Sequence, residues 1–595
     1  MGSIVGFTIF IDVPPGAVTR ANIAEDRALS RFTHLEKTSL AIGPATLHLW
    51  GHSSLADCIH AMPDGSTLAL IGSPHHDVPW HDVQEKLLKL DRPEDFILPW
   101  EGRVILLRVS ADGKRWTIWN DWLGSITTYY ADIPNGRIAS TLEPVPVAAA
   151  GCTTDDFFLP GLVSLLVNGY FQTDWTLYKN VKTIPPDSLT AWDEEGFRTK
   201  KLWTVLPSQE RWETSWDDLV DEMYAITRQV IADILKTQST WILPLSSGLD
   251  SRLIAGVVAD IGANVYTYSW GDANNNDVIF SQEIAKTLGF PWKHVPLPRD
   301  FLVKYTPQWS DWFGRAMHFQ GMYLMSFLDQ LQGEPAAPML NGFIGDVLAG
   351  DGLYEAVKIH SRKSYQIGYE WYSDWQPDQL RAVAKFPVEE ALEANAANIR
   401  AQIESFPGAN FQKMLYLPLW NRQRLFIGFL STLMGYWRGV ATPYLDRAYV
   451  RFCLSLPRVA FDHRRLLGDV FKRHYGRLAV IPGSYASEPY ILTGKYLIKK
   501  RIGQMLPASL RNRFMKGTDN IHIGVDVEPI HTYGKASLWP IFEVWDRVSE
   551  WLDMRQVEQD FQAVMQSGED VRALRRLQAV QTFASLFTLP QNSRS

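Results

Sequence analysis

The stretch WILPLSSGLDSRLIAG, residues 241–256, carries an apolar run into two serines, a glycine and an aspartate before a helical pattern resumes. Small side chains at such a turn let backbone N–H groups approach an anion. A helix beginning near Ser251 would point its positive end at the same place. Ser246, Ser247 and Ser251 add hydroxyl donors beside Gly248. Asp250 would repel a bare phosphate. A hard cation such as Mg2+, which takes carboxylate and phosphate oxygens together, removes that conflict. A plain strand–helix turn with Asp250 as a helix cap explains the same residues, and composition does not choose between the two. No GK[ST] follows, so the Walker A pattern is absent.

The elements around this turn follow from periodicity. Ser215 with Asp218 reads as a capping box, and Leu219, Met223, Ile226, Val230 and Ile234 recur at helical spacing behind it. TWILPL then predicts a buried strand, and SRLIAGVVADI a helix closed by Gly262. NVYTYSW is the next strand, DVIFSQEIAKTL a helix closed by Gly289, and KHVPL a third strand. Strands alternating with helices at this pitch imply a parallel sheet with crossover helices, whose ligands bind beyond the carboxyl ends of the strands. The 246–251 turn falls there. Residues 1–145 read instead as short strands and turns with few long helices, an α+β or sandwich-like layer. A bridge follows at 150–205, with an apolar helix over 157–167 and a hairpin around DEEG. Residues 310–470 read as mostly helical, and the tail as mixed.

The bulk numbers set outer limits. A chain of 595 residues predicts two or three domains, and 46% hydrophobic with 21% charged residues is ordinary for a globular protein. A net charge of −7 argues against a general nucleic-acid or lipid-surface binder. Cys58, Cys152 and Cys453 are too scattered for a disulfide framework or a metal cluster and suit a reducing compartment. With no membrane-length apolar run and no basic region at the N-terminus, a cytoplasmic location is expected. His75 and His76 lack a third ligand at a recognisable spacing and read as solvated loop histidines.

SSGLDS resembles the pyrophosphate loop of the ATP-pyrophosphatase superfamily, with Ser247 in place of its first glycine. Further stretches resemble the asparagine synthetase family in that family's order. YSWGDANNNDVIFSQEIAKTLGFPWKHV is similar to its next strand and helix, NGFIGDVLAGDGL to its second Gly-Asp loop, and TPYLDRAYVRFCLSLP to its Pro-Phe-Leu-Asp segment. LVNGYFQTDWTLYKNVKTIPPDSL is similar to its interdomain bridge, so the resemblance covers roughly residues 1–470. It implies an α/β chain: a degenerate class II glutaminase-like, Ntn-type α+β domain over 1–205, then an ATP-pyrophosphatase synthetase domain over 206–595 with a parallel sheet and a large helical part. It implies that ATP meets Leu245, Leu249 and the residues between and beside them, the turn Ser269–Trp270–Gly271, and Gly345. Asp250 and Asp346 would be the Mg2+ ligands.

NDWLGSITTYYA, IASTLEPV and MGSIVG resemble segments of the glutaminase domain. The chemistry of that domain needs an N-terminal cysteine nucleophile, where this chain has Gly2, and an Asn-Gly-Glu segment, where it has Ile71-Gly72-Ser73. Glutamine hydrolysis is therefore not expected. β-Lactam synthetases and lasso peptide cyclases are the branches this pattern resembles. They imply an acyl-adenylate, AMP and pyrophosphate, and an amide ring closed within one molecule. The family's late-loop lysine is missing after Pro489, where Tyr490 stands; Lys495 is the substitute, with Lys499 and Lys500 behind it. His318 is a second catalytic candidate, against a buried structural histidine. Phe343 matches the tyrosine of β-lactam synthetases, and their glutamate has no counterpart near NRQRLFIG. Three readings follow: a ring-closing ligase served by a precursor-peptide protease, an intermolecular ligase joining ammonia or an amine to a carboxylate such as a sugar acid, and a non-catalytic nucleotide binder. None involves nucleic acid or membrane.

Overall fold

A computed structural model describes residues 3–134, 136–193, 196–314, 318–334, 336–350, 375–483, 491, 498, 501–502, 521–567 and 570–588. The strands of the first 201 residues form one sheet of twelve, antiparallel throughout except where Ile4–Ile11 meets Thr67–Pro74. The short strands and turns expected over 1–145 are present, and the hairpin around DEEG is Ser188–Asp193 paired with Gly196–Lys201. The sequence reading missed one long helix here, Pro15–Leu29. Pro15 stands at its first turn, and Ala17, Ala21 and Ala28 form its buried stripe. Alanine carries a weak apolar signal, yet its small side chain lets this helix lie close on helices Pro144–Ala150 and Phe301–Phe313.

The second sheet is parallel and has five strands: β1 (Trp241–Pro244), β2 (Val265–Trp270), β3 (Trp292–Val295), β4 (Met339–Leu340) and β5 (Val440–Ala441). Their order is β3-β2-β1-β4-β5. The crossover helices α1 (Leu249–Ile261) and α2 (Asn276–Leu288) end on Gly262 and Gly289, both with positive φ. Of the expected capping box, the N-cap half opens the preceding helix, Trp216–Leu235: Ser215 Oγ accepts from Asp218 N at 3.1 Å, and the Asp218 carboxylate accepts from the Ser215 hydroxyl at 2.6 Å. The described residues of 310–470 are largely helical, as expected, but β4 and β5 are embedded in that stretch. At two residues each, they have no periodicity to detect. The apolar helix of the bridge is Leu159–Asn168, two residues later in the chain than its predicted start.

The two sheets share a core. One buried apolar cluster takes Trp50, Leu162 and Phe171 from the first 205 residues and Trp309, Phe429 and Tyr436 from beyond them. Polar ties cross the same boundary: Trp50 Nε1 donates to Tyr436 Oη at 3.0 Å, and Trp122 Nε1 to Leu445 O at 2.8 Å. His75 is not solvated. It is 2% exposed, because its strand runs antiparallel to Gly102–Val109 and carries the ring against Gly102, where a Cβ would lie 2.7 Å from it. Among the described residues no group of three or more His, Cys, Asp or Glu could hold a metal ion, and no helix is long and apolar enough to cross a membrane.

Candidate functional site

The strand order decides where the site lies. The chain builds β1, moves outward through β2 and β3, then returns to place β4 on the other side of β1. The loops after β1 and β4 therefore part at a topological switch point, where open α/β sheets form their ligand crevice. The loop after β1 is 245–251, and the loop after β4 is 341–346. A cleft of about 250 Å3 opens between them.

Leu245, Ser246, Gly248, Asp250 and Ser251 line this cleft from one side, and Asp346 from the other. The two loops touch. A Cβ on Gly345 would sit 3.0 Å from Asp250 Cγ, and one on Gly342 3.0 Å from Asp250 Cβ. Tyr444, fully buried, donates its hydroxyl to Asp250 O at 2.9 Å and pins the first turn of α1. Ser246 and Ser251 bond to one another through their hydroxyls at 3.1 Å, and Gly248 N donates to Ser246 Oγ at 3.1 Å.

Other residues expected to meet nucleotide are brought close but used differently. Ser247 does not line the cleft; its N and Oγ both donate to Asp277 Oδ1, at 3.0 and 2.5 Å. The serine thus ties the loop to α2, which gives its side chain a role a glycine could not fill. Ser269 lines the cleft, but its hydroxyl donates to Leu245 O at 2.6 Å and joins β2 to the loop. Trp270 lines the cleft beside Tyr323. Gly271, at φ +111°, turns away, and its carbonyl accepts from His294 Nε2 at 2.6 Å. Leu249 packs on the core beneath, and Gly345 is buried under Tyr444. Lys495, like Gly2, Tyr490, Lys499 and Lys500, lies outside the described residues.

His318 is not in the cleft. It is 2% exposed, edge-on to Phe426 at 5.2 Å, and hydrogen-bonded to the Arg575 backbone. Burial pushes its pKa down to about 3. The folded chain therefore keeps His318 neutral where the unfolded chain, with the ordinary value near 6.5, takes up a proton. Its stabilising contribution is complete above pH 6.5 and is lost as pH falls toward 3. At pH 4.5 the loss is about 3 kcal/mol. His318→Gln is expected to flatten the acid side of the thermal-midpoint profile between pH 4.5 and 6.5.

Three residues escaped the sequence reading. Asp277 adds a third carboxylate to the cleft, held at the start of α2 by Asn275, whose Oδ1 accepts Asp277 N at 2.8 Å. The NNND run is a helix-start signal that could have flagged it. Arg252, 1% exposed, donates to Ser247 O, Leu478 O, Ile481 O and Pro482 O at 2.7–3.1 Å and braces the loop from behind. Gln423 enters the cleft from a helix that no local signal links to it.

Residues 228–518 match the asparagine synthase family model. The asparagine synthase-like segment contains β1 to β5, α1 and α2, and both aspartate loops of the cleft, and the match supports ATP-dependent carbon–nitrogen ligation in general. No curated protein matches the chain. Among solved structures it is similar to glutamine phosphoribosylpyrophosphate amidotransferase from B. subtilis complexed with ADP and GMP, at 9% identity over 49% of this chain and 65% of that one, with a TM-score of 0.21. It is also similar to a structure described as the allosteric regulatory enzyme of purine biosynthesis, at 8% identity over 49% and 64%, with a TM-score of 0.22. The chain spans less than two thirds of either protein, and likeness at that level says nothing about its activity.

The contact between the two loops makes a sharp prediction. A methyl group at Gly345 would lie 2.7 Å from two ring carbons of Tyr444 and 3.0 Å from Asp250 Cγ. The Tyr444 ring must shift, and its hydroxyl bond to Asp250 O carries the shift to Asp250. Overpacking of this kind costs about 1–3 kcal/mol. Gly345→Ala is expected to weaken binding of a magnesium–nucleotide complex about tenfold by titration calorimetry.

Proposed function

We propose that the chain is an ATP-dependent carbon–nitrogen ligase that activates a carboxylate as its acyl-adenylate. The observation that carries this reading is the meeting of Asp250 and Asp346, from loops 96 residues apart, on the two sides of one switch-point cleft. Two carboxylates with room for phosphate oxygens fit Mg2+, which is held by one or two side chains plus substrate phosphates rather than by an all-protein cage. Bound there, Mg2+ would neutralise the charge of the triphosphate. The donors available to the phosphates are the N–H groups opening α1 and the hydroxyls of Ser246 and Ser251. Trp270 offers a flat apolar face at the end of β2. The chain's share is to hold the substrate carboxylate in line with the α-phosphate and to keep water from the activated acyl group.

Ring closure within one molecule, as in lasso peptide and β-lactam formation, is the finer reading. It is supported by the residues standing where the glutaminase machinery would be. The Ile71-Gly72-Ser73 segment is paired in strand with Arg103, Val104 and Ile105, with Gly72 at φ +110°. An intermolecular reaction is the second reading, favoured by the modest volume of the cleft. ATP, Mg2+ and candidate precursor peptides, or candidate acids with amines, would be incubated with the protein and AMP measured. Release of AMP with a peptide alone supports ring closure, and release that needs both an acid and an amine supports the second reading. A protein that binds ATP and yields AMP with nothing is a nucleotide-binding relative without ligase activity.

A further inference from the structure

The cleft wall opposite the aspartate loops is a π-helix, Leu419–Ile427, followed by the helix Phe429–Arg438. A nine-residue π-helix is rare, and π-turns gather at functional sites because they re-aim side chains. Two of its residues lock it from behind. Arg424 donates to the carbonyls of Gly124, Thr173 and Ile184, and Asn421 Oδ1 accepts Thr173 N at 2.9 Å. Between them, Gln423 points the other way and lines the cleft with Ile427, Leu430 and Met434.

Gln423 is 2% exposed, and its side-chain oxygen, Oε1, has no hydrogen-bond partner among the described residues. A buried acceptor left unpaired costs about 1–3 kcal/mol, so its presence in a cleft wall calls for a ligand that donates. The wall stands on the β4–β5 side of the sheet, since Asn341 Nδ2 donates to Ser431 Oγ at 3.1 Å. Ser269 and Trp270, at the end of β2, lie on the other side of β1. The side chains that line the cleft carry three carboxylates, Asp250, Asp277 and Asp346, and no lysine, arginine or histidine among the described residues. None of these lining side chains donates to Gln423 Oε1, so the hydrogen must come from the ligand.

We infer that Gln423 is a specificity-determining residue for a primary amine, its Oε1 accepting an N–H of the nitrogen that attacks the activated acyl group. This rests on the ligase reading. In that step the amine forms the C–N bond, the acyl C–O bond to phosphate breaks, and AMP leaves with the electron pair. The surplus proton goes to solvent, because an amide side chain takes none. Gln423 therefore orients the amine and does not deprotonate it.

The test uses the full chain and methoxyamine, a primary amine uncharged near neutral pH, whose methyl group reports binding by saturation-transfer NMR. N,N,O-trimethylhydroxylamine, which has no N–H, is the control. Both are measured with and without a non-hydrolysable magnesium–ATP analogue, whose own affinity is read by calorimetry. Wild type is expected to give at least fivefold more transfer to methoxyamine than to the control. Gln423→Leu should abolish that preference with the analogue's affinity unchanged, and Gln423→Glu, which can only accept, should retain it. Equal transfer to both probes in wild type overturns the inference. So does a preference that survives in the leucine variant, one lost in the glutamate variant, or loss of analogue binding in either variant. If wild type fails to bind the analogue, the ligase reading fails, and the nucleotide-free arm still decides whether Gln423 selects an N–H donor.

Discussion

Asp250→Asn abolishes AMP formation and leaves the fold intact. The expected loss is at least about 10^3-fold, the scale on which removing one charge-stabilising group from a closed site acts. The carboxylate sits in the first turn of α1, against the 342–345 backbone, and lines the same cleft as Asp346. Asparagine keeps the shape and the helix start but gives up the charge. The thermal midpoint without Mg2+ is expected to stay within about 2 °C of wild type. Titration calorimetry should show magnesium-dependent nucleotide affinity lost in parallel with activity. Wild-type turnover in this variant would remove the metal role from Asp250. A collapsed midpoint would make it a helix cap instead.

Arg424→Met is expected to cost the fold about 3–5 kcal/mol, because three buried carbonyls lose their donor at about 1–3 kcal/mol each. The side chain is fully enclosed between the π-helix and the bridge, and burial pushes its pKa down to about 10. It holds the carbonyls of Gly124, Thr173 and Ile184, at 3.3 and 3.1 Å for the first two. Methionine fills much of the space and leaves those carbonyls buried without a donor. The thermal midpoint should fall by roughly 2–4 °C. Because the same helix presents Gln423 to the cleft, methoxyamine binding should fall as well. A midpoint unchanged in Arg424→Met would mean that the bridge does not hold the π-helix. Through this contact the N-terminal layer braces one wall of the cleft.

Much of the scaffold around the cleft was legible from residue order. Ser215, Gly262 and Gly289 mark helix ends by local chemistry, and the period of the intervening residues names β1, α1, β2, α2 and β3 in turn. The helix Pro15–Leu29 was not legible, because its buried face is alanine. β4 and β5 were not legible either, since two residues carry no period. His75 misled for a related reason. Nothing beside it in sequence tells that its strand will carry it against Gly102.

The sequence by itself determined the turn at 246–251, its small residues, and an acidic side chain at the start of a helix, because these are local consequences of side-chain size and capping. That Asp346 faces Asp250, that Ser247 is tied to Asp277, and that Gln423 closes the far wall were decided only by the tertiary structure. Those facts depend on β4 returning to the other side of β1 and on Arg424 fixing a π-helix against the bridge. Both are contacts between residues far apart in the chain, and short-range periodicity holds no record of them.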